Sequence, residues 1–204
     1  MKILCVAKND SGQRLDKFLS KAVPALPKSL MYKYIRTKRI KRNGKKADIS
    51  AHLAEGDEIT LYINDEFFAD QKKKNYDFLA SPKTISIVYE DENLLIVNKK
   101  AGLLCHPNDG EYVCTLIGSV QRYLYEKGEY DPESENAFAP ALANRIDRNT
   151  GGLVLAAKNA EALRLLNGII KRREIEKIYL CIAIGKMPKA SETLTGYLLK
   201  DSET

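Results

Sequence analysis

The most chemically suggestive stretch of this 204-residue sequence is Asn144–Gly152, which reads NRIDRNTGG. It places Asp147 between Arg145 and Arg148 and follows them with Thr150 and a pair of glycines. A carboxylate beside arginines stays ionised, because a nearby opposite charge favours the charged form. The glycines permit close backbone approaches that a β-carbon would block. Taken alone, the pattern fits either a reactive carboxylate or an Arg–Asp pair that braces a turn before a strand.

Apolar periodicity around this stretch predicts a mixed α/β region. We expect strands at TISIVYE, LLIVNK, LVLAAK and IYLCIAIG, and helices at TLIGSVQRYLYEK and AEALRLLNGIIKRR. Residues 128–139 are acidic and turn-rich, which predicts a surface loop. The strands are close enough in sequence for antiparallel pairing. Asn98 and Lys99 are expected to shape a strand end near the site, and His106 to satisfy a hydrogen bond in a loop.

Positive charge is concentrated in the first 74 residues, which carry a net +8 against −2 for the remainder. The segment 33–46, KYIRTKRIKRNGKK, is the densest part, because eight of its fourteen residues are basic and none is acidic. Such a cluster attracts a polyanion, although a solvated face or a disordered tail is the alternative. Tyr34, Ile35 and Ile40 are interleaved where they would pack, which favours a folded surface that binds nucleic acid.

Local signals predict a compact module around this basic segment. RLDKFLSKAV has the apolar spacing of a helix, and a second helix is expected to begin near Ser29, which would cap it. Asn43-Gly44 is a strong signal for a two-residue hairpin turn. Gly56-Asp57 marks a further turn before the strand EITLYI. Basic side chains would then fall on one surface, which is suited to phosphate contacts.

Residues 14–62 resemble the RNA-binding domain named after ribosomal small-subunit protein S-four. The R-L-D-K-F-L opening, the basic helix end, the N-G turn and the closing G-D-E-I carry this resemblance. It implies binding to structured RNA. The residues expected to contact RNA are the basic ones of the segment 33–46: Lys33, Arg36, Lys38, Arg39, Lys41, Arg42, Lys45 and Lys46.

The second half resembles the RluA-type family of RNA pseudouridine synthases. Two stretches carry the resemblance, VYEDENLLIVNKKAGLLCHP and NRIDRNTGGLVLAAKN. The family pattern around its catalytic aspartate is H-R-L-D-x-x-T-S-G. Four residues match it: Arg145, Asp147, Thr150 and Gly152. Three depart mildly from it: Asn144 for His, Ile146 for Leu and Gly151 for Ser. The family's K-x-Y element is present as Lys177-Ile178-Tyr179.

This resemblance implies that the protein isomerises specific uridines, most plausibly in ribosomal RNA, to pseudouridine. The target base must be flipped out of its stack to be reached. Asp147 is then the candidate catalytic carboxylate, and three roles stay open for it: attack on carbon 6, attack on the sugar, or abstraction of a sugar proton. Arg145, Arg148 and Thr150 are candidate substrate-binding residues. Tyr179 is a second candidate catalytic residue, with a core tyrosine as the alternative.

The expected architecture is α+β, with a small α/β RNA-binding domain followed by a mixed, mainly antiparallel sheet with flanking helices. We predict an RNA-binding domain at 1–63, a linker at 64–82 and the N-terminal part of a catalytic domain at 83–204. The family carries a later G-R-x-H-Q-I-R motif that is absent here, so we expect a truncated chain with reduced or absent activity. The competing interpretation is a non-catalytic RNA-binding protein with a degenerate synthase domain. A hydrolase that uses Asp147 is disfavoured, because no second carboxylate or metal cluster lies nearby in sequence.

The isomerisation needs no redox change and no energy input, so no cofactor is expected. Four cysteines without a C-x-x-C pair, and only two histidines, argue against a metal site and a disulfide framework, so buried or half-buried free thiols are expected. No apolar run is long enough to cross a membrane, and the N-terminus lacks the features of a secretory signal. We therefore predict a cytoplasmic monomer whose partner is ribosomal RNA, with transfer RNA as a further candidate.

Overall fold

A computed structural model describes residues 1–68, 76–108, 114–186, 189–197 and 199. The chain divides into two compact units, Met1–Glu174 and Ile175–Thr204. Met1–Glu174 contains two antiparallel sheets, each with its own helices and apolar cluster. This arrangement agrees with the α+β class predicted from the sequence.

The first sheet and its two helices form the N-terminal half of this unit. The strands are β1 (Lys2–Cys5), β2 (Ile40–Arg42), β3 (Lys45–Lys46) and β4 (Glu58–Leu61), and the helices are α1 (Leu15–Ala22) and α2 (Lys28–Arg36). The strands are antiparallel in the order β1-β4-β2-β3. A shared apolar core joins helices and sheet, because Leu15, Phe18 and Leu19 of α1 and Ile35 of α2 are buried together with Ile59 of β4.

Two features of this half differ from the sequence prediction. Strand β1 was not predicted. Its backbone groups have hydrogen-bond partners because it pairs with β4, which is distant in the sequence and leaves no local pattern. Helix α2 begins at Lys28 with Pro27 as its N-terminal cap residue, so Ser29 lies inside the first turn and does not cap it. Pro27 has a ψ of 139°, which is not helical, so the helical conformation starts only at Lys28.

The predicted hairpin turn is confirmed. Arg42 pairs with Lys45, and Asn43 and Gly44 adopt φ values of 49° and 73°. Both values lie in the left-handed region, which asparagine and glycine tolerate best. The Asn43 amide also donates to Asp57 Oδ1 at 2.7 Å, so the turn is anchored to the end of the loop before β4.

The second sheet and two further helices form the C-terminal half. The strands are β5 (Ile87–Glu90), β6 (Leu94–Lys99), β7 (Ala141–Leu142) and β8 (Gly152–Ala157), and the helices are α3 (Leu116–Glu126) and α4 (Ala160–Lys171). The strand order is β5-β6-β8-β7, and every pairing is antiparallel, as predicted. The two-residue strand β7 was not predicted, because so short a segment has no periodicity to detect.

Side-chain caps explain where the helices of this half begin. Thr115 accepts a hydrogen bond from the Gly118 N–H at the start of α3, and Asn159 accepts one from the Ala162 N–H at the start of α4. Helix α3 then buries Leu116, Val120 and Leu124 against β6 and β8; their core partners are Leu95, Val97, Val154 and Ala156. The same strands therefore supply the core and, at their ends, the candidate site.

The structure describes both ends of the segment 64–82, which was predicted to be a linker that lies against a domain. Phe68 and Phe78 are buried. Arg122 of α3 donates to the carbonyl oxygens of Leu79 at 2.6 Å and Ser81 at 2.7 Å, which ties the second end to the C-terminal half. The lysine run 72–74 lies outside the described residues. The domain boundaries themselves stay a prediction.

One predicted strand is wrong. Residues 178–185 form neither helix nor strand, and the side chains of Leu180, Ile182 and Ile184 are fully exposed. A strand needs a neighbour to satisfy its N–H and C=O groups, and none of the described residues pairs with this segment. Apolar composition therefore predicted a buried strand where the described chain supplies no partner.

Two further predictions concern the burial of the cysteine thiols and the length of the helices. All four cysteines are free; Cys105 is buried, whereas Cys5, Cys114 and Cys181 are exposed, so the predicted burial holds for Cys105 alone. None of the helices in the described ranges is both long and apolar enough to cross a membrane.

Candidate active site and RNA-binding surface

The candidate active site is built on the paired ends of β6 and β8. Lys99 at the end of β6 lies opposite Gly152 at the start of β8. A β-carbon added to Gly151 would lie 3.4 Å from the Lys99 carbonyl oxygen, at the short limit of an ordinary van der Waals contact. Gly152 adopts a φ of 139°, a value that L-residues rarely take. The glycine pair therefore allows the 144–151 loop to pass directly over the end of β6.

A buried lysine holds two loops together at this point. The side chain of Lys99 is almost fully buried, and its ammonium donates to the carbonyl oxygens of Leu103 at 2.8 Å, Arg148 at 2.9 Å and Lys100 at 3.2 Å. Burial lowers the pKa of Lys99, and electrostatic interactions with Cys105 and Asp147 oppose that shift. Lys99 thus lies at a strand end, as predicted.

Asp147 lies at the start of the turn that Lys99 helps to hold. The Thr150 N–H donates to the Asp147 carbonyl oxygen at 3.1 Å, which closes the turn. The side chain of Asp147 is exposed, and its carboxylate forms no hydrogen bond or ion pair with any described residue. The alternative of an Arg–Asp pair that braces the turn is therefore not what the structure contains. The brace comes from Lys99, and the carboxylate is left available.

The two flanking arginines are in different situations. The Arg148 guanidinium donates to the Gly102 carbonyl oxygen at 3.1 Å, and the Gly102 N–H donates back to the Arg148 carbonyl oxygen at 2.8 Å. Arg148 thus links the 144–151 loop to the turn after β6. Arg145 is exposed, and its guanidinium donates to no group in the described parts of the chain. Of the two, Arg145 is the cation with its donors available.

A cavity of about 320 Å³ opens beside Asp147. It is lined by two segments, 104–108 and 145–148. The thiol of Cys105 donates to the Ile146 carbonyl oxygen at 3.4 Å, which holds the two segments side by side. A cavity of this size, with a free carboxylate and a free guanidinium at its wall, can accept a small planar group.

His106 belongs to the wall of this cavity. Its Nδ1 is buried and has no hydrogen-bond partner among the described residues, so the expectation that it satisfies a loop hydrogen bond is wrong for this atom. Burial lowers the pKa of His106, and the positive charge of Arg145 lowers it further. The imidazole therefore favours its neutral form near pH 7.

Asn144, which departs from the family's usual histidine, has a structural task. Its side-chain oxygen accepts from the Leu155 N–H at 2.8 Å, and its amide nitrogen lies 3.5 Å from the Leu153 carbonyl oxygen. These contacts continue the β7–β8 pairing beyond Leu142. Asn144 thereby fixes the point at which the loop carrying Asp147 leaves the sheet.

Tyr179 belongs to the unit Ile175–Thr204, and its side chain is exposed. Its predicted role in catalysis stays a prediction. Thr150 is half-buried within the turn after Asp147, and its predicted contact with substrate stays a prediction as well.

The predicted RNA-binding residues mostly lie exposed on the N-terminal half. The exposed ones are Lys33, Arg36, Lys38, Arg39, Lys45 and Lys46, whereas Lys41 and Arg42 are half-buried. Arg42 forms an ion pair with Asp57 at 2.6 Å. Burial raises the pKa of Asp57, but the hydrogen bonds from Arg42, Ala54 and Asn43 more than offset this and lower it. Arg42 therefore supports the fold in addition to any contact with RNA.

A groove on this surface contains a residue that the sequence did not single out. It has a volume of about 350 Å³ and is formed by α2 and the segment 46–49. Its wall includes Lys33, Arg36 and Lys46 together with the exposed ring of Tyr32. An aromatic ring among cations is typical of surfaces on which bases stack. The spacing of Tyr32 from Arg36 along one helix was the available signal, because residues four apart share a face.

Comparison with known proteins agrees with both resemblances. The RNA pseudouridylate synthase family matches residues 93–203, and the S4 domain matches residues 13–59. Since the first match covers more than half of the chain, the protein belongs to the RNA pseudouridylate synthase family.

Curated relatives point to the same family. An uncharacterised RNA pseudouridine synthase of Mycoplasma capricolum is 38% identical over 87% of this chain and 57% of its own length. The ribosomal large subunit pseudouridine synthase C of Vibrio vulnificus is 29% identical over 98% of this chain and 61% of its own length. A solved human protein, RNA pseudouridylate synthase domain containing 1, is 22% identical with a TM-score of 0.33, over 45% of this chain and 29% of that one. The chain thus spans about three fifths of the length of these curated relatives.

Proposed function

We propose that this protein converts specific uridines of RNA to pseudouridine, with Asp147 as the catalytic carboxylate. The observation that carries the proposal is the state of Asp147: it is exposed, unpaired among the described residues and located at the wall of a 320 Å³ cavity. A carboxylate that only stabilised the fold would be expected to accept hydrogen bonds. Family membership supplies the reaction that such a carboxylate would perform.

In the proposed reaction, the uridine is flipped out of its stack and its base enters the cavity beside Asp147. Arg145, whose donors are available, would bind a phosphate of the flipped nucleotide, while Arg148 and Lys99 hold the loop in place. The glycosidic bond from carbon 1′ to N1 breaks, the uracil rotates, and carbon 1′ bonds to carbon 5. Carbon 5 then loses its proton and N1 gains one, so the product is an isomer of the substrate. Attack on carbon 6, attack on the sugar and abstraction of a sugar proton remain three alternatives for Asp147. Thr150 and Tyr179 are proposed to contact the uridine.

The proposed substrate is ribosomal RNA, and the exposed basic residues of the segment 33–46 are proposed to bind it. Support comes from the S4 domain match at 13–59 and from relatives named ribosomal large subunit pseudouridine synthases. The groove beside Tyr32 adds a surface on which an unpaired base can stack. We further propose that the protein acts in the cytoplasm as a monomer and without a cofactor, with residues 1–63 binding RNA and residues 83–204 contributing to catalysis.

The direct test compares pseudouridine positions in RNA from cells that carry wild-type protein, the Asp147→Asn variant or no protein. We expect one or a few positions, most simply in large-subunit ribosomal RNA, to be modified only with the wild type. Asp147→Asn is nearly isosteric, so RNA binding and thermal stability should persist. Asp65→Asn, at an exposed aspartate outside both proposed sites, is the matched control and should behave as wild type. RNA binding without any modified position would instead support the non-catalytic alternative.

A further inference from the structure

The N-terminal and C-terminal halves of Met1–Glu174 meet through polar contacts that neither proposed site uses. On one side is the segment 7–12, which contains a short 3₁₀ turn at Lys8–Asp10. On the other side are the loop 128–139 and the first turns of α4. We call this contact the polar clasp; its members are Asn9, Asp10 and Ser11 on one side, and Glu135, Asn136, Ala160 and Arg164 on the other.

Asn9 contacts both parts of the C-terminal half. Its amide nitrogen donates to Glu135 Oε1 at 2.7 Å, and its side-chain oxygen accepts from the Ala160 N–H at 3.3 Å. The first N–H groups of a helix have no partner within the helix, and Asn159 already satisfies the one at Ala162. Asn9 thus adds a second cap to α4 from the other half of the unit.

Asn136 reaches in the opposite direction. Its amide nitrogen donates to Asp10 Oδ2 at 3.0 Å and to the Cys5 carbonyl oxygen at 2.8 Å. Asp10 is fully buried, and its other oxygen, Oδ1, has no partner in the described parts of the chain. Burying a carboxylate is costly unless donors surround it. The Ala7 N–H also donates to Asp10 Oδ2, at 3.4 Å, so the amide of Asn136 is the donor that the C-terminal half contributes.

Arg164 closes the clasp along α4. Its guanidinium donates to the Ser11 carbonyl oxygen at 3.0 Å. It also lies 3.5 Å from the position that a β-carbon would occupy on Gly12. Near the other end of the contact, Ala137 packs against the apolar core of the N-terminal half. Contacts at the segment 135–137, at Ala160 and at Arg164 therefore hold the two halves, which restricts rotation as well as separation.

We propose that the polar clasp holds the RNA-binding surface at a fixed position relative to Asp147 and thereby selects which uridine of a bound RNA reaches the carboxylate. This inference rests on the proposed function. An RNA gripped by the basic surface presents its nucleotides at distances that the protein geometry determines. If the two halves could turn freely, several uridines would come within reach, and the effective concentration of the right one at Asp147 would fall.

The contact itself is tested by hydrogen exchange on the full chain. Asn136→Asp keeps the size of the side chain but sets a carboxylate against the buried carboxylate of Asp10. We expect peptides that cover 5–12 and 158–164 to exchange at least about tenfold faster, since like charges in a buried site repel strongly. Asn64→Asp is the matched control, because Asn64 also donates to a carboxylate, Glu66 Oε1 at 3.2 Å, but in an exposed position within one segment. Unchanged exchange in Asn136→Asp would overturn the clasp.

The positioning role is tested by photo-crosslinking, which needs no catalysis. The probe is large-subunit ribosomal RNA that carries scattered 4-thiouridine, and the readout is which nucleotides crosslink to the peptide containing Asp147. We expect a narrow set for wild type and for Asn64→Asp. For Asn136→Asp we expect at least about a tenfold loss at those nucleotides and new crosslinks at neighbouring ones, with RNA affinity within about twofold.

A swapped pair provides the rescue. In Asp10→Asn/Asn136→Asp an amide again faces a carboxylate, so part of the wild-type crosslinking pattern should return, although the Cys5 carbonyl oxygen loses its donor. An unchanged pattern in Asn136→Asp, together with faster exchange, would show that the clasp does not position RNA and would overturn the proposal. A wild-type protein that crosslinks at defined nucleotides but forms no pseudouridine would contradict the proposed function and leave the clasp supported.

Discussion

The ammonium of Lys99 donates a hydrogen bond to the carbonyl oxygen of Arg148, 2.9 Å away and one residue beyond Asp147. Lys99 is the last residue of a buried strand, and Arg148 lies in the loop that the glycine pair brings over that strand. The backbone next to the proposed catalytic carboxylate is therefore held by a buried charge. The carboxylate oxygens of Asp147 accept no hydrogen bond from any described residue.

Replacing Lys99 by methionine should destabilise the protein and impair the proposed reaction. The variant fills a similar volume but removes the ammonium that donates to the carbonyl oxygens of Lys100, Leu103 and Arg148. Of these, the Arg148 carbonyl oxygen keeps the Gly102 N–H as a donor. We expect a loss of about 3 kcal/mol of unfolding free energy, as for a buried polar network with one partner removed. Urea unfolding measures this loss of unfolding free energy. Lys100→Met, which changes an exposed neighbouring residue, is the control. Equal unfolding midpoints for the two variants would contradict this account of the loop.

The structure predicts that two neighbouring cations of the hairpin behave differently. Lys45 is exposed, so Lys45→Ala should reduce the salt dependence of RNA binding by roughly one phosphate contact, with stability unchanged. Arg42 pairs with the buried carboxylate of Asp57. Arg42→Ala should therefore cost about 2 kcal/mol of stability, because a buried charge loses its partner. Binding isotherms of both variants at several salt concentrations measure the phosphate contacts, and urea unfolding measures the stability. A stability loss in Lys45→Ala alone would contradict the assignment of Arg42 as the cation that supports the fold.

Tyr32 should contribute to RNA affinity through its ring. Tyr32→Ala is expected to weaken binding about tenfold, the usual scale for loss of one base–aromatic stack. Tyr32→Phe retains the ring and is the control, so its affinity should stay near that of wild type. Fluorescence titration with a ribosomal RNA fragment measures both. If Tyr32→Phe loses as much affinity as Tyr32→Ala, the hydroxyl rather than the ring makes the contact.

The contribution of Glu90 to the stability of the fold should depend on pH. Burial raises its pKa, but hydrogen bonds from Lys127, Tyr123 and Lys158 more than offset this and bring the pKa to about 2. Lys158, whose side chain is nearly buried, bonds Glu90 at 3.0 Å and also pairs with Glu129, so β5, α3 and β8 share one network. A carboxyl group with a lowered pKa stabilises the fold above its unfolded pKa, and this contribution is lost as the pH falls toward the folded value.

Glu90→Gln should therefore lower the unfolding free energy by on the order of 2 kcal/mol at pH 7. The difference from wild type should shrink steadily between about pH 4.5 and pH 2, where the carboxyl of the wild type becomes protonated. Urea unfolding across this range is the measurement. Glu92→Gln, at an exposed neighbour, is the control. A difference that stays constant down to pH 2 would mean that the charge of Glu90 does not matter.

Sequence patterns predicted the elements whose signals are local. The helices have clear apolar spacing, and the Asn43-Gly44 turn depends on two residues that tolerate positive φ. The basic side chains of α2 are exposed as expected, because apolar residues at helical spacing direct the remaining positions outward. Asp147 was singled out from its neighbours and from the family pattern, and its predicted role as a catalytic residue stays a prediction.

Some features depend on partners that are distant in the sequence. Strand β1 exists because β4 pairs with it, and the predicted strand at 178–185 fails because no described residue pairs with it. The same holds for His106, whose expected loop hydrogen bond is missing at Nδ1 among the described residues. Pairing and hydrogen bonding over long separations leave little trace in a local pattern.

The sequence by itself determined the class of protein, the basic surface and the identity of the candidate carboxylate, because composition and motif spacing are local properties of the chain. Only the tertiary structure decided which charged side chains are paired within the fold. It pairs Arg42 with Asp57, leaves Arg145 and Asp147 without partners among the described residues, and buries Asp10 against Asn136. The physical reason is that a charge is available for binding or chemistry only if folding has not already given it a partner, and partners are chosen by packing across the whole chain.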